Sequence, residues 1–252
     1  MAENAIKDTL RDVLLHTNKL GIFEKVKITG TDTETVIETI DEGKSVIVKG
    51  STKTPVADFV DSTIGLRRMD VLSGFLDVFD AEQDTVQVVR ESRNGVESPS
   101  EIVFVREDGT DANYRFMLAD VINQQLKEVK FKGATFDIEI TPTAKNLKDL
   151  SVFEKILGGA NGESTFSPRT EDGSLYFYVG DEGGDRTKIL INEAPGGTLA
   201  HEFKWPLKIV LSILSLPSES TTMSFINSKG LMQIKVDSGV SEYTYLLPST
   251  GQ

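Results

Sequence analysis

Residues 69–88 read "MDVLSGFLDVFDAEQDTVQV". Val71, Leu72, Phe75, Leu76 and Phe79 recur there at helical spacing, which predicts a short helix with one apolar side. From Thr85 the pattern changes to alternation, as in a half-buried strand. The stretch "PLKIVLSILS" at 206–215 has the same form, with Pro206 in the first turn, where proline is tolerated. Each helix leads into three alternating runs. In the first half these are "TVQVVRES", "SEIVFVRED" and "ANYRFMLAD"; in the second, "STTMSFI", "GLMQIKVD" and "SEYTYLLP".

Working outward, the pattern extends. Residues 4–20, "NAIKDTLRDVLLHTNKL", predict a helix with Ile6, Leu10, Val13 and Leu14 on one stripe and Gly21 as its stop. Four runs bounded by Gly, Asp, Thr or Pro then read as strands: "VKITG", "TVIETI", "SVIVKG" and "PVADFV". The second half begins with a strand, "GATFDIEIT". Its helix is "TAKNLKDLSVFEKILG", with Leu147, Leu150, Phe153, Glu154 and Leu157 along one side and Gly158 and Gly159 at its end. Strands follow at "STFSPR", "SLYFYVG", "TKILIN" and "TLAHEFK". The stretch "RNGVESPS" reads as a turn-rich loop, and residues 120–131 as an extended connector.

Each half therefore runs helix, strands, helix, strands. A period of about 120 residues is too long for a solenoid and suits two duplicated α+β domains, at 1–119 and 132–252 around the 120–131 connector. The alternative is two domains alike by chance.

Composition narrows the chemistry. The 252 residues suffice for two ordinary domains, no run reaches the length of a membrane helix, and Met-Ala-Glu-Asn lacks the form of a signal peptide. There is no cysteine, hence no disulfide framework, thiolate metal site or thiol nucleophile, and a reducing cytoplasm is the simplest location. His16 and His201 show no metal-ligand spacing and read as structural or surface residues. No dinucleotide fingerprint, phosphate-binding loop or nucleophile elbow occurs. The stretch "GDEGGDRT" at 180–187 offers Asp181, Glu182 and Asp185 but not the acidic spacing of a calcium loop, and reads as a solvated turn. No enzyme, cofactor or metal is expected.

The net charge of −12 argues against nucleic acid until the positions of the 27 basic residues are considered. Lys145, Lys148 and Lys155 share a stripe of the third helix. Lys7, Arg11 and Asn18 share one on the first, and Lys208, Ser212 and Ser215 one on the fourth, with Lys204 just before it. Arg67 and Arg68 precede the second helix, where Ser73 is expected to be exposed. Acids concentrate in strands and loops, although Asp70 and Asp77 lie on the second helix. Charged helix faces often do no more than solvate a surface; four helices without an acidic outer stripe make a shared basic surface the sharper reading.

Three stretches carry a family resemblance: 69–88, "ANYRFMLAD" at 112–120 leading into the connector, and "GLMQIKVDSGVSEYTYLLPS" at 230–249, two alternating strands about a turn at Asp237-Ser238-Gly239. The chain resembles the trimeric sliding DNA clamps of the proliferating-cell nuclear antigen type, and among them the clamps of large tailed phages. The resemblance implies a homotrimeric ring of six domains. Helices would line the hole and contact duplex DNA without sequence preference through Lys7, Arg11, Arg67, Arg68, Lys145, Lys148, Lys155, Lys204 and Lys208. It implies a non-enzymatic processivity factor, with DNA polymerase and clamp loader as partners and the host cytoplasm as its place if the source is a phage. It also implies a pocket for partner peptides, with Ile122, Leu126, Leu246, Leu247 and Pro248 as its residues. Alternation along the last strand gives Leu246 to the core and leaves Leu247 open between pocket and core. The other readings are a phage structural or tail-assembly protein with no DNA role, and an enzyme with an unrecognised site.

Overall fold

The structure is a computed structural model that describes residues 3–93, 95–127, 133, 135–158, 164–180, 183–200 and 202–250. By internal contacts it forms two compact units. The first comprises Met1–Glu42, Val48–Lys130 and Ser238–Tyr243; the second comprises Gly43–Ile47, Phe131–Asp237 and Thr244–Gln252.

The first unit opens with α1 (Glu3–His16), which buries Ile6, Leu10, Val13 and Leu14, four positions on one side of the helix. The Thr17 hydroxyl donates to the Val13 carbonyl at 2.6 Å, a 3-10 turn follows at Asn18–Leu20, and Gly21 stops the run at φ 70°. The strands β1 (Lys25–Gly30), β2 (Thr35–Ile40), β3 (Ile47–Thr52) and β4 (Ser62–Arg67) lie in the order β4-β1-β2-β3. Next comes α2 (Met69–Val78), then the antiparallel sheet β5 (Thr85–Arg93), β6 (Val96–Val105) and β7 (Asp111–Arg115). Helix α1 packs on α2 and β5, and α2 reaches β7.

The second unit repeats the plan. It begins with β8 (Ile138–Ile140) and α4 (Ala144–Gly158), after a short α3 (Ala119–Gln125) that belongs to the first unit. The strands β9 (Thr165–Glu171), β10 (Ser174–Gly180), β11 (Arg186–Asn192) and β12 (Trp205–Pro206) form a sheet in the order β11-β10-β9-β12. After α5 (Leu207–Leu214) come β13 (Ser220–Ile226), β14 (Leu231–Asp237) and β15 (Ser241–Pro248), with the order β15-β14-β13-β8. The core here is aromatic. Phe166 lies 4.6 Å from Phe177 between ring centres, and Trp205 lies 5.9 Å from Phe225. Each such buried ring contributes a few kcal/mol, about 1.5–3, by leaving water.

Several expectations need correction. Residues 120–125 are helical, not extended: Gly65 has no side chain, so Ile122 of α3 packs onto β4 where a Cβ would come within 2.9 Å. The chain just before α3 also pairs with β4, Gly65 donating to Met117 at 3.1 Å and receiving at 2.7 Å. Residues 128–132 lie outside the described residues. "PVADFV" is no strand; its Val56 and Phe59 are buried at helical spacing about a 3-10 turn, and the Val56 amide donates to the Thr35 hydroxyl. The strand β4 went unread because Ser62, Thr63 and Gly65 interrupt its apolar pattern. "RNGVESPS" is mostly strand, since β5 and β6 stay paired out to Arg93 and Val96, with Gly95 turning at φ 80°. "TLAHEFK" alternates, but its described residues form no ladder; Leu199 exchanges bonds with Thr170. Ser73 is half-buried rather than exposed.

Candidate nucleic-acid interface

Helix α4 is started by a side-chain box. The Thr143 amide and hydroxyl both donate to Asn146 Oδ1, at 2.9 and 2.6 Å, and the Asn146 amide returns a bond to Thr143 Oγ1 at 3.1 Å. Asn146 Nδ2 then donates to the Leu190 carbonyl at 3.2 Å, which fixes the helix on β11. With Leu150 and Asn146 turned inward, Lys145, Lys148 and Lys155 are exposed. Lys145 pairs with Asp149 one turn on at 3.0 Å, and its side chain is still 81% exposed.

Helix α5 packs against α4. It buries Leu207, Val210, Leu211, Ile213 and Leu214, so its free face is narrow: Lys208, Ser212 and Ser215. Four ammonium groups thus stand on two packed helices, Lys145, Lys148 and Lys155 on one and Lys208 on the other. Ammonium groups attract phosphate as point charges and read no bases.

The other residues of that expectation each have their place within their own unit. Lys7 is 6% exposed, and its ammonium donates to the Asp84 carbonyl at 2.7 Å, joining α1 to the start of β5. Arg11 donates to the Leu76 carbonyl at 2.9 Å and pairs with Asp80, so its charge sits at the C-terminal end of α2, where a cation is favoured. The stripe beside the apolar one on α1 therefore faces its own unit. Lys204 is half-buried and lines a small cleft with Arg169, Tyr178 and Arg186 on the sheet face opposite the buried Leu175, Phe177 and Val179. Arg67 and Arg68 are exposed and line a cleft of about 340 Å³ with Val71, Phe75, Asn113 and Arg115 beside β7. Asp70 lies in the first turn of α2, where the helix dipole favours an acid.

Arg67 is held by Tyr114, whose hydroxyl donates to the Arg67 carbonyl and accepts from its amide at 3.0 Å. Burial pushes the phenol up to about 12, over the opposing bond and charge of Arg67. The fold thus prefers neutral tyrosine. That contribution is whole below pH 10 and lost as pH rises toward 12, on the order of 2–3 kcal/mol. Tyr114→Phe should cost about 1–3 kcal/mol at neutral pH. Urea midpoints should show the gap between wild type and variant closing above pH 10, and a constant gap would refute this role.

Of the expected partner-pocket residues, Ile122, Leu126, Leu246 and Leu247 are all buried, and Trp205 Nε1 donates to the Leu247 carbonyl at 2.8 Å. Pro248 is exposed. His16 is buried and stacked on Tyr243, while His201, Asp181 and Glu182 lie outside the described residues. Among the described residues no group of three His, Cys, Asp or Glu side chains could hold a metal, and no helix is long and apolar enough to cross a membrane. Sequence reasoning passed over exposed Val152 and Ile156 on α4 and Leu190 on β11; the i, i+4 pair away from the Leu147–Leu150 side was the available signal.

Two α+β units that share one plan, two main helices with antiparallel strands, define the sliding-clamp fold. Solved structures of the proliferating cell nuclear antigen, PCNA, share it with this chain. A chain of the structure of the C-terminal region of FEN-1 bound to A. fulgidus PCNA matches with TM-score 0.67 at 12% identity, over 95% of this chain and 96% of that one. PCNA from Thermococcus kodakaraensis matches with TM-score 0.65 at 14% identity, over 96% and 97%. PCNA from Entamoeba histolytica matches with TM-score 0.66 at 11% identity, over 99% and 96%. No protein-family model and no curated protein sequence matches the chain.

Proposed function

We propose that the protein is a sliding clamp. Three copies close a ring of six domains around duplex DNA and tether a DNA polymerase, raising its processivity without chemistry of their own. A clamp loader opens the ring. The observation that carries this reading is the clamp fold over 95–99% of the chain. In this reading the duplicated segments are 1–119 and 132–252, and the lysines of α4 and α5 face the phosphates. By its resemblance to the clamps of large tailed phages, the protein works in the cytoplasm of a host cell.

Two strand edges support ring closure. β7 ends one sheet of the first unit and β11 ends one sheet of the second. Unpaired edges of this kind recruit another strand. Exposed Val78 and Val105 accompany the first, and exposed Val152, Ile156 and Leu190 the second, so a head-to-tail contact between copies would cover both. For partner peptides we assign the apolar atoms that solvent reaches, taken for each unit by itself: Leu118 and Val121 at α3 of the first, and Pro248 at the end of β15 in the second.

Light scattering at micromolar concentration should give three times the 27.7 kDa chain mass. Primer extension with the matching polymerase and loader should give longer products. A concentration-independent monomer or dimer, or unchanged product length, would remove the ring.

A further inference from the structure

The repeat fixes a rule of strand pairing. In each unit, the strand just before one helix pairs with the first strand after the other helix. β4, before α2, pairs with β1, after α1. β12, before α5, pairs with β9, after α4. β8, before α4, pairs with β13, after α5, in the register Ile138 to Phe225, Glu139 to Ser224 and Ile140 to Met223. The fourth case is incomplete. Among the described residues no strand precedes α1, and β5, the first strand after α2, pairs only with β6.

A cleft of about 790 Å³ lies along that edge. Val86, Gln87 and Val88 of β5 line it, facing Ile6 of α1, Val56 and Val240. Its interior is mostly apolar, with buried Thr9 and Thr52 among the lining, while Asp8, Asp58 and Lys53, which also line it, are exposed. The place that β8 fills in the second unit shows what fits. There Ile138 and Ile140 are buried and Glu139 points outward to accept from the Ser224 hydroxyl at 3.1 Å.

We propose that this cleft binds an extended segment of a partner protein, which adds to the sheet as a fourth strand beside β5. The segment carries apolar residues at two alternate positions and a basic residue next to them. Backbone groups of the β5 edge pair with the segment, alternate side chains enter the cleft, and the basic residue meets Asp8 and Asp58. The site lies within the first unit, whereas the exposed lysines of α4 and α5 belong to the second, and it stands whether or not the chain encircles DNA.

The test uses the full chain and a fluorescein-labelled peptide, KKFDIEIT, built on residues 136–141 behind two lysines. Binding is read by anisotropy, and amide protection at residues 85–89 by hydrogen exchange. We expect micromolar affinity and slower exchange at 85–89 on binding. Ala57→Trp, at an exposed position that lines the cleft, should weaken binding at least tenfold, and Asp8→Lys with Asp58→Lys several-fold, with circular dichroism confirming the fold. The same peptide N-methylated from its aspartate to its last isoleucine should not bind. Binding that survives Ala57→Trp or N-methylation would overturn the proposal, as would absence of protection at 85–89. Residues 85–89 already protected in the free chain would give the edge to a segment of this chain. Self-association abolished by Ala57→Trp would give it to a second copy. Either result rules out the partner strand.

Discussion

Replacing Tyr243 by alanine is expected to destabilise the protein by about 3–5 kcal/mol, the usual cost of removing a large buried ring. The side chain is 1% exposed. Its ring stacks on His16 with centres 4.5 Å apart and planes within 6°, and its hydroxyl donates to Asp12 Oδ2 at 2.7 Å. Gly50 makes the room, since a Cβ there would come within 2.7 Å of the Tyr243 ring. Burial would raise the Asp12 carboxyl, but hydrogen bonds from His16, Ser241, Ser238 and Tyr243 together hold it below the usual 3.8. A carboxyl lowered by the fold stabilises above its unfolded value and loses that contribution as pH falls through the folded one. Tyr243→Phe, which keeps the ring, should therefore cost about 1–3 kcal/mol at neutral pH, and less in strong acid. Urea unfolding at pH 7 and pH 3 measures both. A loss under about 1 kcal/mol for the alanine variant would mean that the surroundings collapse into the space.

The second large effect concerns DNA. Changing Lys145, Lys148 and Lys208 to glutamate should reduce retention on circular DNA more than tenfold at physiological salt. Each lost phosphate contact lowers the slope of log affinity against log salt by about 0.9, so the slope should fall by roughly three. These lysines are exposed, and none fills the core. The variant should keep the wild-type melting temperature, assembly state and binding of a polymerase tail peptide. Pro248→Ala should do the reverse, weakening the peptide and sparing DNA. Leu247 is unsuitable for this contrast, because at 1% exposure its truncation would damage the core. Equal loss of both activities in both variants, with assembly intact, would end the division into DNA and partner surfaces.

The long helices and most strands were legible because each buries one side, and burying one side imposes a period. Ile6, Leu10, Val13 and Leu14 show it on α1. The misread segments are those where a single neighbour decides. α3 is too short to show a period and is held by the bare backbone of Gly65, some sixty residues earlier. "TLAHEFK" has the alternation of a strand, but its described residues make scattered bonds, Leu199 to Thr170 and Lys204 to Thr250, and not a ladder. The candidate interface was half legible. Spacing placed the α4 lysines on one face, and they are exposed. The same reasoning grouped Lys7 with Arg11, but spacing does not say whether a stripe meets solvent or a neighbouring carbonyl. Asp84 and Leu76, distant in sequence, settle that for α1. The tail leucines were ambiguous for a related reason: the Trp205 bond to Leu247 depends on tertiary structure alone.

The first unit owns residues 238–243, and that matters when the chain is made. Synthesis runs from the N-terminus, and domains generally fold as their residues emerge. Here the stacking partner of His16 is translated only after the whole of 131–237. The nascent first half must wait, with the bed for Tyr243 open, until the ribosome has nearly finished the second. Translation that stops early would release a first half lacking Tyr243 and the rest of 238–243, a ready substrate for proteases and chaperones. Expression of 1–119 alone should give the same outcome.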